Sequence, residues 1–252
     1  MKIGLLGFCL CLAVSMARGS LVATDNAGNY TSWNNGANEG SGFGPWSLSG
    51  SANSGFFLGN SANNAGGSGN INTSGQAWGL FANSGATASA IRPFTGGALA
   101  EGQQFLIQMD NGFIQNGGTV GFGLQNSSGV NRFEFYFVGG SSGYTINIGG
   151  STTATGIGFT GNGLSLVFSQ DAANGYSFDV TPAGGSTTHF SGTLAASDIS
   201  QLRLFNANAG SGGANDAFFN SIQVVPEPVN VALGIFGGMA LAGFAALRWL
   251  RH

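Results

Sequence analysis

Apolar side chains alternate with small or polar ones over much of the chain after residue 119. Val120, Phe122 and Leu124 are separated by single glycines, and the same spacing of two recurs in later stretches. These are Phe133-Phe135-Phe137, Tyr144-Ile146-Ile148, Leu164-Leu166-Phe168, Tyr176-Phe178-Val180 and Ile222-Val224. A period of two is typical of strands with one buried face, and the helical period of 3.6 is almost absent here. The pattern therefore predicts a body built of short β-strands.

Turn signals separate these runs and predict how the strands connect. Asn162-Gly163 and Asn174-Gly175 are typical of tight hairpins, because both residue types tolerate positive φ. The predicted fold is therefore all-β, an antiparallel β-sandwich of the jelly-roll kind. Inward phenylalanines favour a sandwich, since they fill the gap of about 10 Å between two sheets. A solenoid is the second architecture, because the Gly-Asn-Ser texture resembles a repeat without a fixed period.

The first nineteen residues have the features of a secretory signal. Lys2 precedes an apolar run at residues 3–14, and small residues follow it. Such a run is too short to cross a bilayer comfortably, so we expect a helical signal peptide at 1–19 that is cleaved. A retained N-terminal anchor is the alternative. Both cysteines, Cys9 and Cys11, lie in this segment, so the mature body has no disulfide or thiol chemistry.

The body at 20–225 is long enough for one sizeable domain. It has three arginines and no lysine against nine acidic side chains, a formal charge of −6. Phosphate backbones would repel such a surface, which argues against a nucleic-acid partner.

The C-terminal segment is long and apolar enough to cross a membrane. At about 1.5 Å per helical residue, residues 229–250 can span a hydrocarbon core of about 30 Å. Pro226 and Pro228 separate this predicted transmembrane helix from the body. Arg248 and Arg251 favour a cytoplasmic C-terminus and hence a body on the other side of the membrane.

The quartet Val225-Pro226-Glu227-Pro228, the apolar span and the short basic end together resemble the PEP-CTERM sorting signal. This resemblance implies a sorting segment at 226–252, which an exosortase-type membrane protease recognises in the inner membrane. It also implies contact with membrane lipid before processing and delivery afterwards to the cell surface or the extracellular matrix. An ordinary single-pass anchor with a rigid hinge is the alternative.

Several phrases of the body resemble exported bacterial domains of the concanavalin A-like type. They are Gln76 to Asn83, Ala90 to Phe94, Gly121 to Asn126, Phe133 to Phe137 and Arg203 to Gly210. The resemblance covers most of residues 75–225. It implies a sandwich and, by analogy alone, sugar binding.

Candidate catalytic groups are few, and we predict no enzyme. Glycosidases need two carboxylates about 5–9 Å apart, whereas Glu134 has no acidic neighbour at i+2 or i+4 on its strand. A surface pair with Arg132 is the simpler expectation. His189 is the body's only histidine and is expected to lie solvated on a strand.

Metal and cofactor sites are not predicted, with one weak exception. Terminal strands of a jelly roll often lie side by side, so Asp25 and Asp216 could meet at a structural calcium ion. Both residues also suit turns or caps without any metal.

Three tryptophans with adjacent amides are the candidate carbohydrate contacts: Trp33, Trp46 and Trp78. A core location is favoured for each of them, since tryptophan is highly buried on average. The sequence thus favours an exported, non-catalytic protein of the cell envelope or extracellular matrix. The alternatives are a carbohydrate-binding module for exopolysaccharide, a polysaccharide-degrading enzyme and, last, an ice-binding surface.

Overall fold

A computed structural model describes residues 23–64 and 67–226. The predicted signal peptide, Glu227, Pro228, the predicted membrane span, Arg248 and Arg251 lie outside these residues. None of the described helices has the length and apolarity to cross a membrane.

Within the described ranges the chain forms fifteen strands joined by turns and four short 3-10 helices. The strands are β1 Ala23–Asp25, β2 Ser47–Gly50, β3 Ser54–Gly59, β4 Ala77–Ala82, β5 Thr87–Pro93, β6 Gln103–Asn111, β7 Thr119–Gln125, β8 Asn131–Val138, β9 Gly143–Ile148, β10 Ser151–Gly158, β11 Leu164–Gln170, β12 Gly175–Pro182, β13 Thr188–Thr193, β14 Gln201–Ala207 and β15 Ala217–Pro226. The 3-10 helices are Ala27–Asn29, Ser61–Asn63, Ala172–Asn174 and Gly213–Asn215.

The described strands make two antiparallel sheets, which confirms the predicted all-β sandwich. One sheet has the order β13-β12-β11-β6-β15-β4-β3, with β1 as its eighth strand beside β15. The other has the order β10-β9-β8-β7-β14-β5-β2. This arrangement is consistent with a jelly roll and differs from the repeating coils of a solenoid.

Phenylalanines fill the space between the sheets, as their alternation predicts. Phe122 and Phe133 of the seven-stranded sheet and Phe168 and Phe178 of the eight-stranded sheet are fully buried. The rings of Phe133 and Phe178 pack with centroids 4.7 Å apart. Aromatic contacts of this kind stabilise a core beyond the area they bury, so these pairs help to fix how the two sheets face each other.

The outward face of the eight-stranded sheet is covered by part of the chain between β3 and β4. Ile71 of this connection packs with Phe218, Ala77 and Phe57 in a small apolar cluster, separate from the main core. Ala217 and Phe219 belong to the main core. Phe218, between them, belongs to the outer cluster and is fully buried as well. This connection therefore gives the eight-stranded sheet a second buried layer on its outer side.

Candidate functional site

The three candidate tryptophans lie in the core. Trp33, Trp46 and Trp78 are each no more than 3% exposed. Trp46 packs edge-on against both of the others, with centroids 5.2 Å from Trp33 and 5.3 Å from Trp78. This burial confirms the core location that the sequence favours and corrects the assignment of these residues as possible carbohydrate contacts, since no ring presents a free face to a sugar. The physical reason is that the stretch between β1 and β2 folds back onto β4.

Glu134 does not pair with Arg132, so that expectation was wrong. Arg132 instead binds Asp198 through two nitrogens, at 2.6 and 2.9 Å. This two-pronged geometry fixes the orientation of the guanidinium on the carboxylate. Glu134 accepts hydrogen bonds from the amides of Asn131 at 2.5 Å and Asn147 at 2.7 Å. Asn147 lies directly opposite on β9, so the cross-strand neighbour replaces the expected partner along the strand.

The surroundings of Glu134 form a polar patch on the outward face of the seven-stranded sheet. Arg203 approaches its carboxylate to 3.9 Å across Gly123 and stacks over the Phe205 ring at 4.9 Å. Tyr136 lies beside it, and burial together with the Glu134 charge raises the pKa of that phenol. Glu134 therefore serves as a hydrogen-bond acceptor held by amides and one arginine.

His189 lies far from this patch in the topology, because it belongs to β13 of the other sheet. Its Nδ1 is 2.7 Å from Asp179 Oδ1 on the adjacent strand, and its side chain is exposed. The structure therefore brings Glu134 and His189 into no common site.

Asp25 and Asp216 do not meet, although the terminal strands do lie side by side. Asp25 pairs across β15 with Ile222, six residues beyond Asp216, which corresponds to about 20 Å along a strand. The Asp25 carboxylate forms an ion pair with Arg92 and accepts a hydrogen bond from the Tyr30 hydroxyl. The alternative of a calcium ion shared by Asp25 and Asp216 therefore does not hold. Among the described residues no three His, Cys, Asp or Glu side chains cluster as metal ligands.

A cleft at one end of the sandwich, which we call the Phe113–Phe159 cleft, carries exposed aromatic rings. Phe113 is 66% exposed and Phe159 43%, and in the described ranges the only other exposed large apolar side chain is Val130. The cleft has a volume of about 240 Å³. Its lining is Phe113, Ile114, Phe137, Gly140, Ser141 and Phe159. Clefts for drug-sized ligands occupy about 300–1,000 Å³, so this one suits a smaller ligand such as one sugar ring.

Three connections converge to build this cleft. Phe113 lies between β6 and β7, Gly140 between β8 and β9, and Phe159 between β10 and β11. Loops held on a rigid sandwich are a common place for binding residues.

The connections that hold Phe113 and Gly140 are fixed by hydrogen bonds and by one close approach. The Asn215 side chain donates to the backbone oxygen of Phe113 at 2.5 Å. Gly139 N donates to Gly118 O at 2.9 Å. A Cβ on Gly139 would lie 1.8 Å from Gln115 O, so a side chain there would push the two connections apart.

The cleft floor is supported from below by buried aromatics. Phe137 is nearly fully buried, 5.3 Å from the Phe159 ring and 5.4 Å from Tyr144. The Tyr144 hydroxyl donates to Asn111 Oδ1 at 2.8 Å, and burial raises the pKa of Tyr144. The phenol therefore stays protonated and neutral. The result is an apolar floor supported by a buried hydrogen bond between a phenol and an amide.

The sequence interpretation missed both exposed phenylalanines. Each follows or precedes turn residues, in Asp110-Asn111-Gly112-Phe113 and in Phe159-Thr160-Gly161-Asn162, outside the alternating runs. A large aromatic residue in a turn, where the alternation gives it no inward position, is the signal that could have indicated them.

Neither a protein-family model nor a curated protein matches this chain. Among solved structures the chain is similar to a sialidase, with a TM-score of 0.52 and 8% identity over 84% of this chain. The matched region is 19% of the sialidase chain. It is also similar to a structure described as "Prominent members of the human gut microbiota express endo-acting O-glycanases to initiate mucin breakdown". There the TM-score is 0.50 and the identity 10%, over 82% of this chain and 99% of that one. These likenesses show a shared fold.

Proposed function

We propose that this protein is an exported, non-catalytic carbohydrate-binding protein of the cell envelope or extracellular matrix. The Phe113–Phe159 cleft carries this proposal. Two exposed phenyl rings stand on a buried aromatic floor, where the apolar face of a sugar ring can pack. Ser141 belongs to the lining, and a serine hydroxyl can hydrogen-bond the ring's polar edge.

The charge of the body favours neutral over acidic glycans as ligands. Its formal charge of −6 repels acidic polysaccharides at long range. The described lining of the cleft contains no charged side chain. A neutral exopolysaccharide is therefore the expected ligand. The sialidase and O-glycanase structures support the fold on which this proposal builds, and a fold by itself does not fix a function.

The proposal of export and sorting is based on the sequence patterns at 1–19 and 226–252. The signal peptide at 1–19 leads the chain across the inner membrane, and an exosortase-type protease processes the segment at 226–252. One structural relationship supports this division. Val225 and Pro226 are the last residues of β15, where they pair with Gln104 and Gln103 of β6. Cleavage just after this strand would therefore leave both sheets complete.

Binding is tested with purified full-length protein on a panel of neutral and acidic polysaccharides. We expect retention on one or more neutral glycans and no release of reducing ends. Retention on acidic glycans alone, or on none, would contradict the proposal. Sorting has a separate test, which is mass spectrometry of the protein recovered from the cell exterior. A C-terminus near Glu227 supports processing, and an intact Arg251 shows a plain anchor.

A further inference from the structure

A second, unrelated cluster of polar side chains is buried under the connection between β3 and β4. Asp110 lies on the outward face of β6, opposite Phe218 of β15. Ser61 and Asn64 of the connection lie over this face, and the Asn64 amide donates to Asp110 Oδ1 at 2.8 Å. All three side chains are at least nine-tenths buried.

Within the described part of the chain, each of these three residues has an oxygen without a hydrogen-bond partner. They are Ser61 Oγ, Asn64 Oδ1 and Asp110 Oδ2. The backbone oxygen of Ser61 also lies in this region. An ideal Cβ built on Gly67 would be 2.8 Å from Ser61 O and 2.0 Å from Asn64 Oδ1, so both oxygens adjoin the same point. Buried polar atoms are nearly always paired, so several unpaired oxygens in one place indicate a missing partner.

The Asp110 carboxylate also lacks a countercharge among the described residues. The described basic side chains are engaged elsewhere: Arg92 with Asp25, Arg132 with Asp198, His189 with Asp179, and Arg203 with the Glu134 patch. The site therefore gains stability from a proton or from an added cation.

We propose that Asp110, Ser61 and Asn64 form a binding site for a calcium ion. The available donors are carboxylate, hydroxyl, amide and backbone oxygens, with no sulfur or imidazole among them. Hard cations such as Ca²⁺ prefer this set of ligands, and Ca²⁺ accepts irregular geometry more readily than Mg²⁺. Calcium would replace the proton on Asp110. The Asn64 amide would turn so that its oxygen faces the ion, which costs its present bond to Asp110.

The connection is already held in place by its own hydrogen bonds. Asn72 accepts from the backbone N–H of Ser61 at 3.0 Å and donates to Asn60 Oδ1 at 2.6 Å. Asn60 also accepts from Ala62 N at 2.9 Å. Ser61 is thus positioned by bonds that do not involve its hydroxyl, which leaves that hydroxyl free to bind a metal.

The test uses metal-stripped full-length protein at pH 7.5 or above. Calcium chloride and, separately, magnesium chloride are titrated while the bound metal per chain and the melting temperature are measured. We expect one Ca²⁺ per chain and a rise of several degrees in the melting temperature once calcium is about 100-fold above its dissociation constant. Magnesium should give a weaker rise.

Variants locate the ion. Asp110→Asn should abolish the calcium-dependent rise, Ser61→Ala should weaken binding, and Asp179→Asn, an exposed carboxylate on β12, should leave it unchanged. Ser61→Ala removes only a hydroxyl, so it keeps the test valid if Asp110→Asn fails to fold. No stoichiometric calcium on the wild-type protein would overturn the proposal and identify a proton as the partner of Asp110. Calcium binding that Ser61→Ala and Asp110→Asn both leave intact would overturn it as well.

Discussion

Arg92 and Asp25 form an ion pair in which both side chains are completely buried. Arg92 also donates to the backbone oxygens of Gly44 at 3.0 Å and Glu39 at 2.7 Å, and it lies 5.0 Å from the ring centroid of Trp46. A residue of β5 thereby ties β1 and the long stretch before β2 to the sandwich. This pair determines where that stretch, and the tryptophans within it, can lie.

Breaking this buried pair should cost far more than breaking an exposed one. Arg92→Ala leaves Asp25 charged and unpaired inside the protein, so we expect a loss of about 3–5 kcal/mol in the free energy of unfolding. The matched control is Arg132→Ala, which removes the partly exposed pair with Asp198. That change should cost about 1 kcal/mol or less. Urea unfolding followed by tryptophan fluorescence measures both, and similar losses in the two variants would refute this view of Arg92.

Trp46 should behave as a core residue and have no direct contact with a glycan. Trp46→Ala opens a cavity between Trp33 and Trp78, and we expect a loss of about 3–5 kcal/mol in stability. The same denaturation experiment applies. A Trp46→Ala protein with unchanged stability and no glycan binding would contradict this prediction and show that Trp46 contacts the glycan.

The stability of the protein without calcium should fall as the pH rises from about 4 to about 7. Burial raises the pKa of both Asp110 and Asp216 from 3.8 to about 7. The folded state therefore holds protons that the unfolded chain releases at about pH 4. For Asp110 the slope approaches about 1 kcal/mol per pH unit inside this window, and Asp216 acts in the same direction.

Unfolding free energies between pH 5 and pH 8 in a chelator measure this effect. Asp110→Asn should reduce the slope. Asp198, whose pKa is lowered to about 2 by the hydrogen bond from Arg132, titrates below this window and should not contribute. Stability that rises from pH 5 to pH 7 would contradict the account.

The strands and the core could be predicted from the sequence because their signal is local. Phe133 and Phe135 occupy alternate positions on one strand, and alternation alone places both side chains inside. Which charged side chains pair with each other, in contrast, depends on residues far apart in the sequence. Arg132 binds Asp198, 66 residues away, because the fold brings the start of β8 next to the connection before β14. No spacing along the chain shows that contact.

The candidate site was missed for a related reason. Amides beside Trp33 and Trp46 made them candidates for sugar contact, whereas these large rings are buried where β4 supplies Trp78 as a partner. Phe113 and Phe159 are exposed because three connections leave a gap at one end of the sandwich. Whether connections converge depends on the order of strands in the sheet, which turn signals do not specify.

The most direct measurement of the central claim is the affinity of Phe113→Ala and Phe159→Ala proteins for the neutral glycan that the wild-type protein retains. Val130→Ala is the matched control, since it removes an exposed apolar side chain outside the cleft. Isothermal titration should show at least a roughly tenfold weaker affinity for each phenylalanine variant, which is about 1.4 kcal/mol, with the folded structure intact. Wild-type affinity in the Phe113→Ala and Phe159→Ala proteins would show that the cleft does not bind the glycan.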